Sequence, residues 1–219
     1  MAEYRLHCFA QSGNSYKPAL MLELAGADWE PVFVDFFNGE NRSAEFLALN
    51  PMGEAPVLEH VGLEHDRLVL AQSGVILDYL AGKTGKFGPL DEAERREILR
   101  WTLWDNHKLT SYNATWRFMI NFVPEEKRQP EVIAFLRTRG TAALGVLEAH
   151  LGERDWVVGG RPTIADITCC GYLFFADEFP IEWEHDYPAI FAWLDRIAAL
   201  PGWKHPYELM PGHPIPGKV

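Results

Sequence analysis

Residues 4–36 read YRLHCFAQSGNSYKPALMLELAGADWEPVFVDF, and they set the architecture of the N-terminal half. Residues 4–10 and WEPVFVDF (29–36) are β-branched and aromatic and predict strands. YKPALMLELAG (16–26) between them predicts a helix that ends at Gly26. Two strands joined through a helix make a βαβ unit. Where the first strand gives way to the helix, small polar residues run from Gln11 to Ser15, a loop placed to hold a ligand.

After this unit the pattern predicts a short helix SAEFLALN (43–50), a strand APVLEH (55–60), a turn at Gly62, a strand DRLVLA (66–71) and a helix QSGVILDYLAG (72–82). All predicted strands lie in the first 71 residues. KTGKFGPLDE (83–92) has the Gly, Pro and charge of a linker. Helices follow: a long amphipathic one from Glu92 to about Phe122, then Pro130 to Leu151, Thr163 to about Ala176, and Pro188 to Ala199. The tail carries Pro201, Pro206, Pro211, Pro214 and Pro216 and is predicted to lie extended on the surface. This gives an N-terminal domain over 1–82, a linker over 83–91 and an all-helical domain over 92–219.

Composition narrows the functional classes. Hydrophobic residues make up 47% of the 219, yet no apolar run approaches the roughly 20 residues of a membrane span. A net charge of -11 argues against nucleic acid, which needs a Lys/Arg surplus, and no polybasic run suggests a membrane surface. An acidic small ligand then needs a local cation, so single Arg and Lys residues near a polar loop carry weight. MAEYRLHCFA shows neither a signal nor a transit pattern, which predicts a cytoplasmic protein. Three cysteines, two of them adjacent at Cys169 and Cys170, form neither a disulfide framework nor a metal-ligand spacing.

Four segments share one family likeness. NPMGEAPVLEH (50–60), LAQSGVILDYLAGKTG (70–85), RPTIADITCCGYL (161–173) and YPAIFAWLDRIAALPGW (187–203) resemble, in order, the characteristic segments of the cytosolic glutathione transferases, of bacterial and serine-type or related kind. The resemblance implies a thioredoxin-like α/β domain (βαβαββα, mixed four-stranded sheet) followed by an all-α C-terminal domain. It implies glutathione as co-substrate, no metal, a homodimer, and a thiolate directed at a hydrophobic electrophile or organic peroxide, with peroxidase or isomerase chemistry as a side activity. The alternative is a non-catalytic binding or interaction module of the same fold.

The resemblance also points to residues. A cis peptide at Pro56 would turn the Ala55 backbone outward with its N–H and C=O unpaired, ready for a peptide ligand. Gln72 and Ser73 stand at a helix start, where free N–H groups and the dipole favour a carboxylate, here the γ-glutamyl end of glutathione; Ser73 also suits an N-cap. Arg42, with Asn41 beside it, supplies a cation for the glycyl carboxylate. Glu54 reverses the charge that many relatives carry there, which weakens any ligand role for its side chain.

The thiol would lie at the Gln11–Ser15 loop. Counting back from Lys17 selects Ser12, whereas counting from Pro18 selects Asn14 with Ser15 next to it; Tyr16 and Tyr4 stand behind these three. No cysteine lies between Gln11 and Lys17 and there is no C-x-x-C, so mixed-disulfide chemistry is not expected, and Cys8 reads as a small buried hydrophobe. An electrophile would meet the first long helix of the second half, between the domains, where Trp104, His107, Lys108, Ser111, Tyr112 and Trp116 are the candidates. His107 and Lys108 are adjacent on a helix and cannot both face one cleft. Thr163 and Asp166 form a capping box, which predicts a buried, structural Asp166.

Overall fold

The computed structural model describes residues 2–62 and 67–215. They divide into two compact units: one extends to Gly88 and takes in Leu200–Pro214, the other is Pro89–Ala199. The first contains β1 (Tyr4–Cys8), α1 (Gly13–Ala25), β2 (Trp29–Phe33), α2 (Ala44–Leu49), β3 (Val57–His60), β4 (Leu68–Ala71) and α3 (Ser73–Thr84). Its sheet has the order β2-β1-β3-β4, with β1 parallel to β2 and β3 antiparallel to both β1 and β4. This is the mixed four-stranded thioredoxin-like arrangement. Asp66, the expected start of the fourth strand, lies outside the described residues.

Local chemistry accounts for most boundaries. Ser12 is the N-cap of α1, with extended backbone and its Oγ accepting the Ser15 N–H at 3.1 Å, so the helix begins at Gly13, three residues before the expected start. Gly26 closes it in the left-handed region (φ 67°), its N–H turned back to Glu23 and Leu22. The first strand stops at Cys8 rather than at residue 10, because the Ala10 N–H is given to the carbonyl of Pro211 and not to the sheet. The second stops at Phe33 because the Asp35 N–H turns to the Glu40 carboxylate, opening a loop of two short 3₁₀ turns.

The tail departs from expectation. It is not an extended surface strand: Pro206–Leu209 form the last helical turn, and Pro206, Leu209 and Met210 are buried. The reason lies in α1, whose residues 15–22 are all buried. A helix apolar on every side must be covered on every side. The sheet and α3 cover part of α1, and the Pro206–Leu209 turn packs on it as well. Pro216 falls outside the described residues.

Glu23 and Lys204 staple this tail to α1. Burial pushes the Glu23 carboxyl up, but hydrogen bonds from Lys204 Nζ (2.6 Å) and Trp29 Nε1 (3.1 Å) outweigh it and hold the group below its ordinary range. A carboxyl held down in the folded state stabilises the fold above its unfolded pKa of about 4.3, and the contribution is lost as pH falls through the folded value. Glu23→Gln should remove this acid-limb dependence and, with Lys204 half exposed, cost no more than about 1 kcal/mol at neutral pH. Urea unfolding followed from neutral to acid pH measures both.

The second unit is all helical: α4 (Glu92–Trp104), α5 (Thr110–Asn121), α6 (Pro130–Leu151), α7 (Ile164–Cys170), α8 (Trp183–Asp186) and α9 (Pro188–Ala198), with α10 naming the Pro206–Leu209 turn of the first unit. The long helix expected from Glu92 to Phe122 is present as α4 and α5, joined by a π-helical stretch, Asp105–Leu109. The extra residue puts Asp105 in the interior, where Thr110 Oγ1 (2.8 Å) and Thr168 Oγ1 (3.2 Å) donate to its carboxylate. The helix expected from Thr163 to Ala176 is shorter: it ends at Cys170, and the chain continues in tighter turns in which the Leu173 N–H donates to the Cys170 carbonyl and the Phe175 N–H to the Tyr172 carbonyl.

Candidate functional site at one end of the sheet

Register brings the N-terminal candidates together. Cys8 of β1 pairs with Phe33 of β2, His7 with Val57 of β3, and Val57 with Ala71 of β4. The ends of β1, β2 and β4 and the start of β3 therefore meet at one end of the sheet. From that end emerge the Ser12–Ser15 segment, the loop with Asn41 and Arg42, the Ala55–Pro56 peptide and the start of α3 with Gln72 and Ser73. Tyr4, at the other end of β1, is stacked against His60, and burial followed by the neighbouring Glu3 pushes its hydroxyl up to about 12.

Ser12 is 5% exposed. Its oxygen accepts the Ser15 N–H, and its own O–H hydrogen has no acceptor among the described residues. Ser15 is fully buried, and among the described residues its Oγ has no hydrogen-bond partner; the Oδ1 of half-buried Asn14 has none there either. Tyr16 is fully buried, and its hydroxyl donates to the Lys204 carbonyl at 2.8 Å. Pro18 has no N–H to give to the Asn14 carbonyl, so the first turn of α1 keeps polar groups that a longer ladder would use. Burial drives the Cys8 thiol up to about 12, which keeps it protonated and inert.

The segment before β3 is built by two buried asparagines. Asn50 Nδ2 donates to the Glu54 carbonyl (2.7 Å) while its Oδ1 accepts the Met52 N–H (3.1 Å), and Asn41 Nδ2 donates to the Gly53 carbonyl (2.7 Å). The Ala55–Pro56 peptide is cis, and neither the N–H nor the C=O of Ala55 has a partner among the described residues. Gly53 has φ 64°, and a Cβ there would stand 2.9 Å from Arg42 Nη1 and 3.0 Å from the Asn41 carbonyl. Gly53→Ala is therefore expected to cost about 1–2 kcal/mol from the left-handed backbone and to push the Arg42 guanidinium aside; urea unfolding measures the first. Arg42 itself is exposed and has no ion-pair partner among the described residues.

At α3 the residue in the cap position is Gln72, with φ 70°, while Ser73 is the first helical residue and buried, so the N-cap assignment for Ser73 is corrected. The helix start has no side-chain cap, leaving its first N–H groups available. Gln72 Nε2 donates to Glu54 Oε2 at 3.1 Å, which gives the charge-reversed Glu54 a partner within the protein.

In the second unit the helical candidates separate. Trp116 is 1% exposed and packs edge-on to Phe179, so its expected place on a substrate surface is corrected: it is core. Tyr112 is half-buried against Phe135 and under Arg139. Ser111 donates to the Asn106 carbonyl, Trp104 packs edge-on to Trp101, His107 is exposed and Lys108 half-buried. Asp166 is buried, accepting from the backbone N–H groups of Val157 and Thr163 (2.8 Å each), Trp193 Nε1 (3.0 Å) and Thr163 Oγ1 (3.1 Å). Its side chain is consumed by structure. The bond between Gln11 and the tail has no signal in the sequence, because a polar side chain before an N-cap does not mark its distant partner.

Comparison with known proteins follows the same division. The family model for the glutathione S-transferase N-terminal domain matches residues 3–82, and that for the C-terminal domain matches residues 111–201. Glutathione S-transferase 2 of Schizosaccharomyces pombe is 31% identical over 95% of this chain and 96% of its own. The crystal structure of a glutathione S-transferase from Pseudomonas fluorescens is 34% identical with a TM-score of 0.84, covering 93% of this chain and 98% of that one. A glutathione transferase from Burkholderia graminis, solved with two glutathione molecules per subunit, is 28% identical with a TM-score of 0.83, covering 92% and 85%. With both domain models matched in order and a relative above 30% identity along nearly its whole length, the chain belongs to the glutathione S-transferase family.

Proposed function

We propose that the protein is a glutathione transferase that binds glutathione at the β1 end of the sheet, stabilises its thiolate at Ser12 and directs it at a hydrophobic electrophile or organic peroxide. The observation that carries this reading is the Ser12 hydroxyl: its oxygen is oriented by the Ser15 N–H, and its hydrogen is left to donate. A free thiol has a pKa of about 8.5 and is only a few per cent thiolate at pH 7. A hydroxyl donor together with the N-terminus of α1 favours the anion, and a drop of about two units makes it the major form. The protein supplies no covalent nucleophile; it supplies the anion and its position.

The remaining groups suit the rest of the tripeptide. Arg42 pairs with the glycyl carboxylate, the Ala55 backbone pairs with the peptide, and the start of α3 with Gln72 and Ser73 receives the γ-glutamyl end. The relative solved with glutathione supports glutathione as the ligand by analogy. A homodimer in the cytoplasm belongs to the same reading. A scaffold needs Ser12 only as the α1 N-cap, which uses the oxygen as acceptor; the non-catalytic module is disfavoured because it leaves the hydroxyl hydrogen of this buried side chain without a role.

Retention on immobilised glutathione at pH 7 with elution by free glutathione tests the binding, with a Kd in the range below about 1 mM that is usual for substrates. Failure to bind overturns the reading. Binding without turnover of either an activated aryl chloride or an organic hydroperoxide favours the non-catalytic module.

A further inference from the structure

We infer that the C-terminal segment Lys204–His213 is a positioning element of the thiol loop, acting through Gln11; the inference rests on the thiol site proposed above. The loop that carries Ser12, Asn14 and Ser15 is tied to this segment at both ends. On the N-terminal side the Ala10 N–H donates to the Pro211 carbonyl at 2.8 Å, and Gln11 Nε2 donates to the His213 carbonyl at 2.7 Å. On the C-terminal side the Tyr16 hydroxyl donates to the Lys204 carbonyl at 2.8 Å. The three leading candidates for the thiol, Ser12, Asn14 and Ser15, lie between Gln11 and Tyr16.

The segment is itself anchored. Lys204 is paired with Glu23, and Pro206, Leu209 and Met210 are buried. Gly212 has φ 136°, a conformation that suits glycine, and a Cβ there would meet Ala10 Cβ at 2.8 Å, Gln11 Oε1 at 3.1 Å and the Ala10 nitrogen at 3.2 Å. The close approach that lets the two carbonyls reach Ala10 and Gln11 is thus specific to glycine at position 212. Gln11 is 7% exposed, so water cannot readily replace the bond to His213.

The consequence is positional. A hydrogen-bond donor aimed at a developing or stored anion loses most of its effect when displaced by about 1 Å, at a cost on the order of a hundredfold in rate. Releasing the segment should therefore let Ser12 drift and raise the pKa of the bound thiol, while Arg42, Ala55 and Ser73, which the segment does not touch through any of these bonds, continue to hold the tripeptide.

The test uses the full chain carrying Gly212→Ala, and separately Gln11→Met, which keeps a side chain of similar length and removes the donor without adding a charge beside the thiol. Hydrogen exchange of the amides from Ser12 to Tyr16 in the unliganded protein should accelerate in both. The pH profile of kcat/KM, with glutathione and an activated aryl chloride, should shift upward by about one unit, a tenfold loss on the acid side that disappears at high pH, with glutathione affinity near wild type. Profiles superimposed on wild type in folded variants overturn the inference. If Gly212→Ala does not fold, Gln11→Met decides alone. Wild-type protein that fails to bind glutathione sinks the thiol reading instead, and unchanged loop exchange in that case overturns the clamp as well.

Discussion

Ser12→Ala is expected to lower kcat/KM for thiol addition by about 100-fold below neutral pH, and the loss should vanish as pH passes the pKa of free glutathione. The magnitude follows from losing about two pKa units of thiolate stabilisation, or about 2.7 kcal/mol. The sign is set by which protonation state the hydroxyl favours: a donor to sulfur stabilises the anion, so its removal raises the pKa and the deficit is largest where wild type is ionised and the variant is not. The variant also loses the α1 N-cap, worth about 0.5–2 kcal/mol, which thermal unfolding separates from the kinetic effect. Ser15→Ala gives the contrast. Its hydroxyl is fully buried without a partner, so its removal should leave activity near wild type and hold or raise stability by up to about 1 kcal/mol. A raised thiol pKa in Ser15→Ala with none in Ser12→Ala would exchange the two roles.

Asp166→Ala should be the most damaging single change to the fold. It strips four donors at once: the backbone N–H groups of Val157 and Thr163, the Thr163 hydroxyl and the Trp193 indole, the last joining α7 to α9. Leaving buried donors unpaired costs about 1–3 kcal/mol each before relaxation, so a net loss on the order of 4 kcal/mol is expected. That is a large share of a typical domain's stability. Soluble yield and the urea midpoint measure it. Asp166→Asn keeps one acceptor oxygen and should fall between wild type and alanine; an alanine variant as stable as wild type would refute the structural role assigned to this carboxylate.

The two variants mark the difference between what can be read locally and what cannot. Thr163 and Asp166 announce themselves because a capping box operates over three residues, and the structure has both of its bonds. Gly26, the Glu92 start of α4 and the Pro130–Leu151 helix are legible for the same reason: caps, breakers and a 3.6-residue period act within a turn or two. Spacing from Lys17 points to Ser12 and spacing from Pro18 to Asn14 and Ser15, and the burial and partners that distinguish the three side chains have no counterpart in the sequence. Trp116 looked like a cleft residue because an aromatic on an amphipathic helix has the same sequence signature whether it faces a neighbour or a ligand.

The sequence alone therefore determined the order and type of most elements, the family, and which candidate residues gather at one end of the sheet, since these depend on periodicity and on short motifs whose residues contact each other directly. The tertiary structure alone decided that Gln72 takes a left-handed backbone, that the long helix carries a π turn burying Asp105, and that the proline-rich tail returns to hydrogen-bond the loop between β1 and α1. The physical reason is that the tail reaches Ala10, Gln11 and Tyr16 through backbone carbonyls 188 to 202 residues away. A carbonyl is the same on every residue and leaves no mark in the sequence, whereas the one residue the contact does require, Gly212, looks like any other glycine in a turn.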